Sequence, residues 1–126
     1  MKLSNKTMID FVRVGVAKKK LPVKLAYALA VNITVMDSAL KAYDEERIKL
    51  VDKFAKKGDN GEPIIENNNY IIEKQDEWNK SITELLEAEA DLSVTTISVD
   101  DLEKCDSPEF DSLSVEELAA IKFMIA

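Results

Sequence analysis

The chain contains no histidine and one cysteine, Cys105, and that pair of facts removes most familiar side-chain chemistry before any element is placed. Without imidazole there is no Ser-His or Cys-His nucleophile, no His-ligated zinc and no histidine acid or base. Cys105 lies between Lys104 and Asp106, with no base in its sequence neighbourhood to make a thiolate. Two acidic runs, Asp44-Glu45-Glu46 and Asp100-Asp101, have the residue type for magnesium. Adjacent helical positions point in different directions, however, and no Gly-rich phosphate loop accompanies them. No enzymatic activity, cofactor or metal site is therefore expected. The dense positive charge is Lys18, Lys19, Lys20 and Lys24, which flank a helix break where the amides opening the next helix lack partners. These four are the candidate ligand-binding residues, for a phosphate or an anionic nucleotide-like molecule.

Over the whole chain, 126 residues carry 17 Lys and Arg against 24 Asp and Glu, a formal charge of −7. That charge opposes a nucleic-acid backbone and is unevenly laid out. Residues 1–57 hold 13 basic and 6 acidic side chains, residues 58–126 hold 4 and 18. Oppositely charged halves favour antiparallel or head-to-tail self-association when they lie apart. The composition, 46% hydrophobic and 33% charged with three Gly and three Pro, suits one folded, largely helical domain over residues 1–126. A lone thiol fits a reducing cytoplasm. The start has no uninterrupted apolar core of a signal peptide, and the most apolar stretch, Leu25–Met36, is short for a bilayer and reads as a buried helix.

The elements that must position these residues follow from periodicity and punctuation. A first helix is expected over Asn5–Lys19, with Met8, Phe11, Val12, Val14 and Val16 on one broad side and the lysine run at its C-terminus. Leu21-Pro22 breaks it. From Pro22 to Lys57 there is no further Gly or Pro, which permits one long helix. Along it Leu29, Ile33, Met36, Leu40, Tyr43, Arg47, Leu50 and Phe54 alternate steps of four and three, a heptad seam interrupted by Arg47. Leu40, Tyr43, Arg47 and Phe54 are the candidate interface of a homo-oligomer formed through this seam or through the C-terminal helix. A second apolar side, Tyr27, Val31, Val35, Ala39 and Ala42, predicts that the first half of the helix is the more fully enclosed.

Gly58-Asp59-Asn60-Gly61-Glu62-Pro63 ends the long helix, and Ile64-Ile65 and Tyr70-Ile71-Ile72 read as a small hairpin turning at the asparagines. A helix over Asp76–Ala90, with Trp78, Ile82 and Leu85 matching the seam, is expected to fold back antiparallel on the long helix. Leu92–Val99, rich in β-branched residues, reads as a strand. A short helical turn from Ser98 and a capping box at Ser114-Val115-Glu116-Glu117 complete the chain. The fold class is α+β, mostly α: a long helical hairpin with a small β-hairpin at its tip, one further strand and a C-terminal helix.

This order of features, with Lys20-Leu21-Pro22-Val23-Lys24, Asp59-Asn60-Gly61-Glu62-Pro63, Asn69-Tyr70-Ile71-Ile72, Leu85-Leu86-Glu87 and Leu113-Ser114-Val115-Glu116-Glu117-Leu118, resembles small proteins of unknown function encoded by phages and prophages of Gram-positive bacteria. The resemblance covers most of the chain and transfers no site residue. It implies a small protein of the bacterial host cytoplasm. Its role would be that of an accessory protein that blocks or sequesters a host factor, including a defence protein or its nucleotide signal, or else of a virion or assembly component.

Overall fold

A computed structural model describes all 126 residues. A strand β1 (Lys2–Ser4) leads into α1 (Asn5–Val14), and α2 (Val23–Phe54) follows after a 3-10 turn at Val16–Lys18. The hairpin β2 (Ile65–Glu66) and β3 (Asn69–Tyr70) precedes α3 (Gln75–Glu87) and β4 (Glu89–Asp91). The chain closes with α4 (Val99–Glu103) and α5 (Val115–Ile121), each continued by a 3-10 turn. The α+β, mostly α architecture expected from the sequence is what the chain adopts.

α1 starts where Ser4 caps it, the hydroxyl accepting from the Thr7 N–H at 3.1 Å. It ends five residues short of the expected Lys19, because Gly15 takes a left-handed φ of +70° that an L side chain rarely adopts. The turn lets Val16 drop into the core rather than continue round the helix. α1 is the hub of the fold, packing on α2, α3 and α5, with Met8 and Phe11 buried and Phe11 edge-on to Phe123 at 5.2 Å.

The 32 residues of α2 run about 48 Å, and α3 returns along its second half as the expected antiparallel hairpin. Phe54 and Trp78 meet edge-on at 6.2 Å near the tip. There the chain leaves α2 extended: Lys56 N–H donates to the Ile71 carbonyl (2.7 Å) and Ile64 N–H to the Lys56 carbonyl (2.8 Å), so 55–57 joins the small hairpin. Asn67 and Asn68 both hold positive φ, as a two-residue hairpin turn requires.

Two expectations fail. The strand near the end of the chain is Glu89–Asp91, not Leu92–Val99, and it pairs antiparallel with β1, a strand absent from the sequence reading. Residues 92–98 run extended with one parallel bridge, Ile97 to Ile125, and are anchored by a side chain instead of a ladder. That side chain is Asn32 of α2: its Nδ2 donates to the Thr95 carbonyl (2.9 Å) and its Oδ1 accepts from the Thr95 N–H (2.8 Å). The second failure concerns the second apolar side of α2. The first half is the more enclosed, as expected, with Leu25, Ala28, Leu29, Asn32 and Met36 buried compared with only Val51 and Phe54 in the second half, but that further side is open. Leu25, Leu29, Asn32 and Met36 are fully buried, whereas Val23 and Tyr27 are 85% and 67% exposed.

Asn32 satisfies two backbone groups of a segment that has no sheet to satisfy them. Asn32→Ala should lower stability by about 2–4 kcal/mol, the sum of orphaned polar groups and a small cavity, while Thr83→Ala on the exposed side of α3 changes it by less than about 0.5 kcal/mol. Urea unfolding followed by circular dichroism checks both, and an unchanged Asn32→Ala midpoint would contradict the anchor.

Candidate binding groove

Between the outer flank of α1 and the middle of α2 lies a groove of about 380 Å³, lined by Ile9, Val12, Arg13, Leu40, Tyr43, Asp44 and Arg47. It exists because α3 covers the far half of α2 and the C-terminal segments cover the near half, leaving the α1 crossing partly roofless. Ile9, Leu40 and Tyr43 are half-buried and Val12 is exposed, so an apolar floor is open to solvent. One guanidinium stands on each helix. Arg13 contacts Asp10 one turn earlier on α1 (3.2 Å), and Arg47 approaches Asp44 on α2 through Nε at 3.8 Å. Both are exposed i,i+3 pairs, the kind that contributes little and leaves guanidinium N–H groups available. An apolar floor with convergent charged groups is the composition of a recognition site.

Three of the four expected interface residues, Leu40, Tyr43 and Arg47, therefore share this groove. Phe54 does not: it is buried against Trp78 inside the hairpin, so the last part of the seam is closed within one chain. The same holds for the C-terminal helix, whose Ile121 and the following Met124 are fully buried in the core. Arg13 and Ile9 were not among the sequence candidates. The available signal was an Asp10-Arg13 pair on the polar side of an amphipathic helix, next to an apolar residue, Val12, assigned to the core.

The lysine run is divided by the fold. Lys19 Nζ donates to Glu117 Oε1 (2.6 Å) and to the Ser112 carbonyl (2.8 Å). The Lys20 N–H donates to Asp111 Oδ2 (2.7 Å), and the Lys20 carbonyl accepts from the Asp111 N–H (2.9 Å). Lys24 lies 3.8 Å from Asp101, which Lys104 also approaches at 3.4 Å. Only Lys18 and Lys20 have side chains without a partner. The chain's own carboxylates thus occupy the positions that an external anion was expected to fill. A cleft of about 450 Å³ does open beside the start of α2, lined by Pro22, Val23, Lys24, Asp101, Lys104, Ser107 and Phe110, with Asp101 shared by its two cations and offsetting one of their charges.

Electrostatics follows these contacts. The Lys19 ammonium, with the Ser114 N–H behind it, holds the Glu117 carboxyl below the usual glutamate range. The Ser98 hydroxyl, followed by Lys104 and Lys24, does the same for Asp101. Burial, reinforced by Asp106, pushes the Cys105 thiol up, away from thiolate. No three acidic or cysteine side chains converge into a metal-binding group.

No protein-family model matches the chain, and no curated protein or solved structure is significantly similar to it.

Because the Glu117 carboxyl is held low in the folded state, its contribution to stability is present above the unfolded value near about 4.3 and is lost as pH falls through the lower folded value. Urea midpoints measured from neutral pH to about pH 3 should show wild type losing its advantage over Glu117→Gln on acidification. A constant gap between the two would refute the Lys19 tie as its source.

Proposed function

We propose that the protein is a non-enzymatic phage accessory protein of the bacterial host cytoplasm that binds and blocks an acidic host protein through the α1–α2 groove. The observation that carries this reading is the pairing of an open apolar floor, Ile9, Val12, Leu40 and Tyr43, with one loosely held guanidinium on each wall. Arg13 and Arg47 suit bidentate capture of carboxylates, and the floor suits the apolar side of an amphipathic segment. The groove is wide and shallow, better fitted to a protein segment than to a small molecule, which a closed pocket would surround. Placement of both Arg residues on exposed i,i+3 pairs means that a partner's carboxylates displace weak contacts, not buried ones.

A photo-crosslinking residue at Val12, in cells that carry the protein, identifies the partner; calorimetry with both purified proteins then tests the groove. Arg13→Glu with Arg47→Glu should weaken binding at least about tenfold, and Lys20→Glu should leave it within about twofold. A partner whose affinity is untouched by the double reversal would place the binding surface elsewhere.

A further inference from the structure

The turn that follows α2 exposes a reactive pair. Of the seven asparagines in the chain, Asn60 alone is followed by glycine. Both residues are exposed, Gly61 takes a φ of +79°, and a Cβ placed on it would meet no atom within 4 Å. The Asn60 Oδ1 accepts from the Glu62 N–H at 3.0 Å, closing a ring of side chain and backbone that contains the Gly61 nitrogen.

We propose that Asn60-Gly61 is a self-modification site, at which the Gly61 amide nitrogen attacks the Asn60 carboxamide and converts Asn60 to aspartate and isoaspartate. Solvent base removes the Gly61 amide proton, and the electron pair left on nitrogen forms a bond to Asn60 Cγ. The Cγ–Nδ2 bond breaks, Nδ2 takes a proton from water and leaves as ammonia, and a succinimide ring remains. Water then adds at one of the two ring carbonyls and the C–N bond there opens. Opening at Cγ restores the ordinary backbone with aspartate at position 60. Opening at the residue's own carbonyl carbon routes the backbone through Cγ, as isoaspartate. Water is the only co-reactant.

Three features select this position. Glycine has no Cβ to obstruct the approach of its own nitrogen, and the open space beside it admits the ring and water. The Glu62 N–H lies on the oxygen where negative charge develops as Cγ turns tetrahedral. The Gly61 N–H is donated to the Gly58 carbonyl at 3.0 Å in an exposed turn, a bond that local opening releases. The other asparagines are held or obstructed. Asn32 uses its carboxamide on Thr95 inside the core, Asn5 is buried with its Nδ2 on the Leu85 carbonyl, and Asn79 lies within α3. Asn67, Asn68 and Asn69 each precede a residue with a side chain. Either product places a new carboxylate between Asp59 and Glu62. Isoaspartate also lengthens the backbone inside the turn closed by the Gly61-to-Gly58 and Gly58-to-Glu62 bonds (3.0 and 2.9 Å), which loosens the joint between α2 and the small hairpin.

Peptide mapping by mass spectrometry, on the folded protein held in mildly alkaline buffer, should show Asn60 converting at least about tenfold faster than any other asparagine, with ammonia released in step. Hydroxylamine, which attacks the succinimide, should cleave the chain between residues 60 and 61. Gly61→Asn, which tolerates positive φ, should slow conversion at least about tenfold, and Asn60→Gln should abolish the cleavage. Conversion that is fastest at another asparagine overturns the proposal. So does a folded-state rate more than about tenfold below that of the same chain in urea, which would mean that the turn locks the pair. The pair shares no residue with the α1–α2 groove, so either result leaves the reading of the groove where it stands.

Discussion

Asn32 sits fully enclosed on the core side of a helix that is otherwise apolar there, and its carboxamide makes both hydrogen bonds open to an amide facing a peptide unit. The rest of the C-terminal third depends on that pairing. Between Leu92, which bonds Met1, and Ile97 the segment has no neighbouring strand, and burying its backbone without partners would cost more than the apolar contacts return. With Thr95 fixed to α2, Ile97 is held where its N–H reaches the Met124 carbonyl (2.8 Å) and its carbonyl accepts from the Ala126 N–H (2.7 Å). Met124 in turn brings its sulfur within 3.5 Å of Asn32 Nδ2. One polar side chain thus ties the middle of α2, an extended segment and the last turn of the chain into a common core.

The same residue marks where the sequence stops being readable. Local signals survived folding: the Ser114–Glu117 capping box forms, the asparagines make the hairpin turn, and the matched spacing of Trp78, Ile82 and Leu85 correctly pairs α3 with α2. The first two are decided within one or two turns of chain, and the third between helices that follow each other in the sequence. The identity of a long-range partner is not. Asn32 is a polar residue within the apolar stretch Leu25–Met36, and the peptide it serves lies 63 residues away. Leu92–Val99 has strand propensity, yet propensity describes fit to a half-buried pleated surface and says nothing of whether a neighbouring strand exists. β4, Glu89-Ala90-Asp91, has poor propensity and forms because β1 is beside it.

Charge shows the same division between density and disposition. The lysine run was plain in the sequence; its counter-ions were not. Asp111 comes from the loop before α5 and Glu117 from the first turn of α5, and Glu117 also accepts from the Ser114 N–H, so one carboxylate caps its helix and fixes the linker ahead of α2. A capping glutamate gave no hint that it would face a lysine 98 positions away. The groove was half legible: Arg47 stood out as a charge in an apolar seam, whereas Arg13 became relevant only once α1 crossed α2.

α2 is apolar on two sides, and a chain of this size has too few further elements to cover both. α1, α3 and the C-terminal segments take the side that contains Asn32, where Leu25, Leu29 and Met36 are fully buried with it. What remains differs in chemistry along the helix. Around Leu40 and Tyr43, where α1 crosses, apolar surface is interleaved with Arg13, Arg47, Asp10 and Asp44. Around Tyr27 and Val31 the surface is uncharged and holds a shallow hollow between Ala30, Val31, Thr34 and Val35. Two uncovered regions of one helix therefore differ in chemistry, one carrying paired charges from α1 and α2 and the other uncharged.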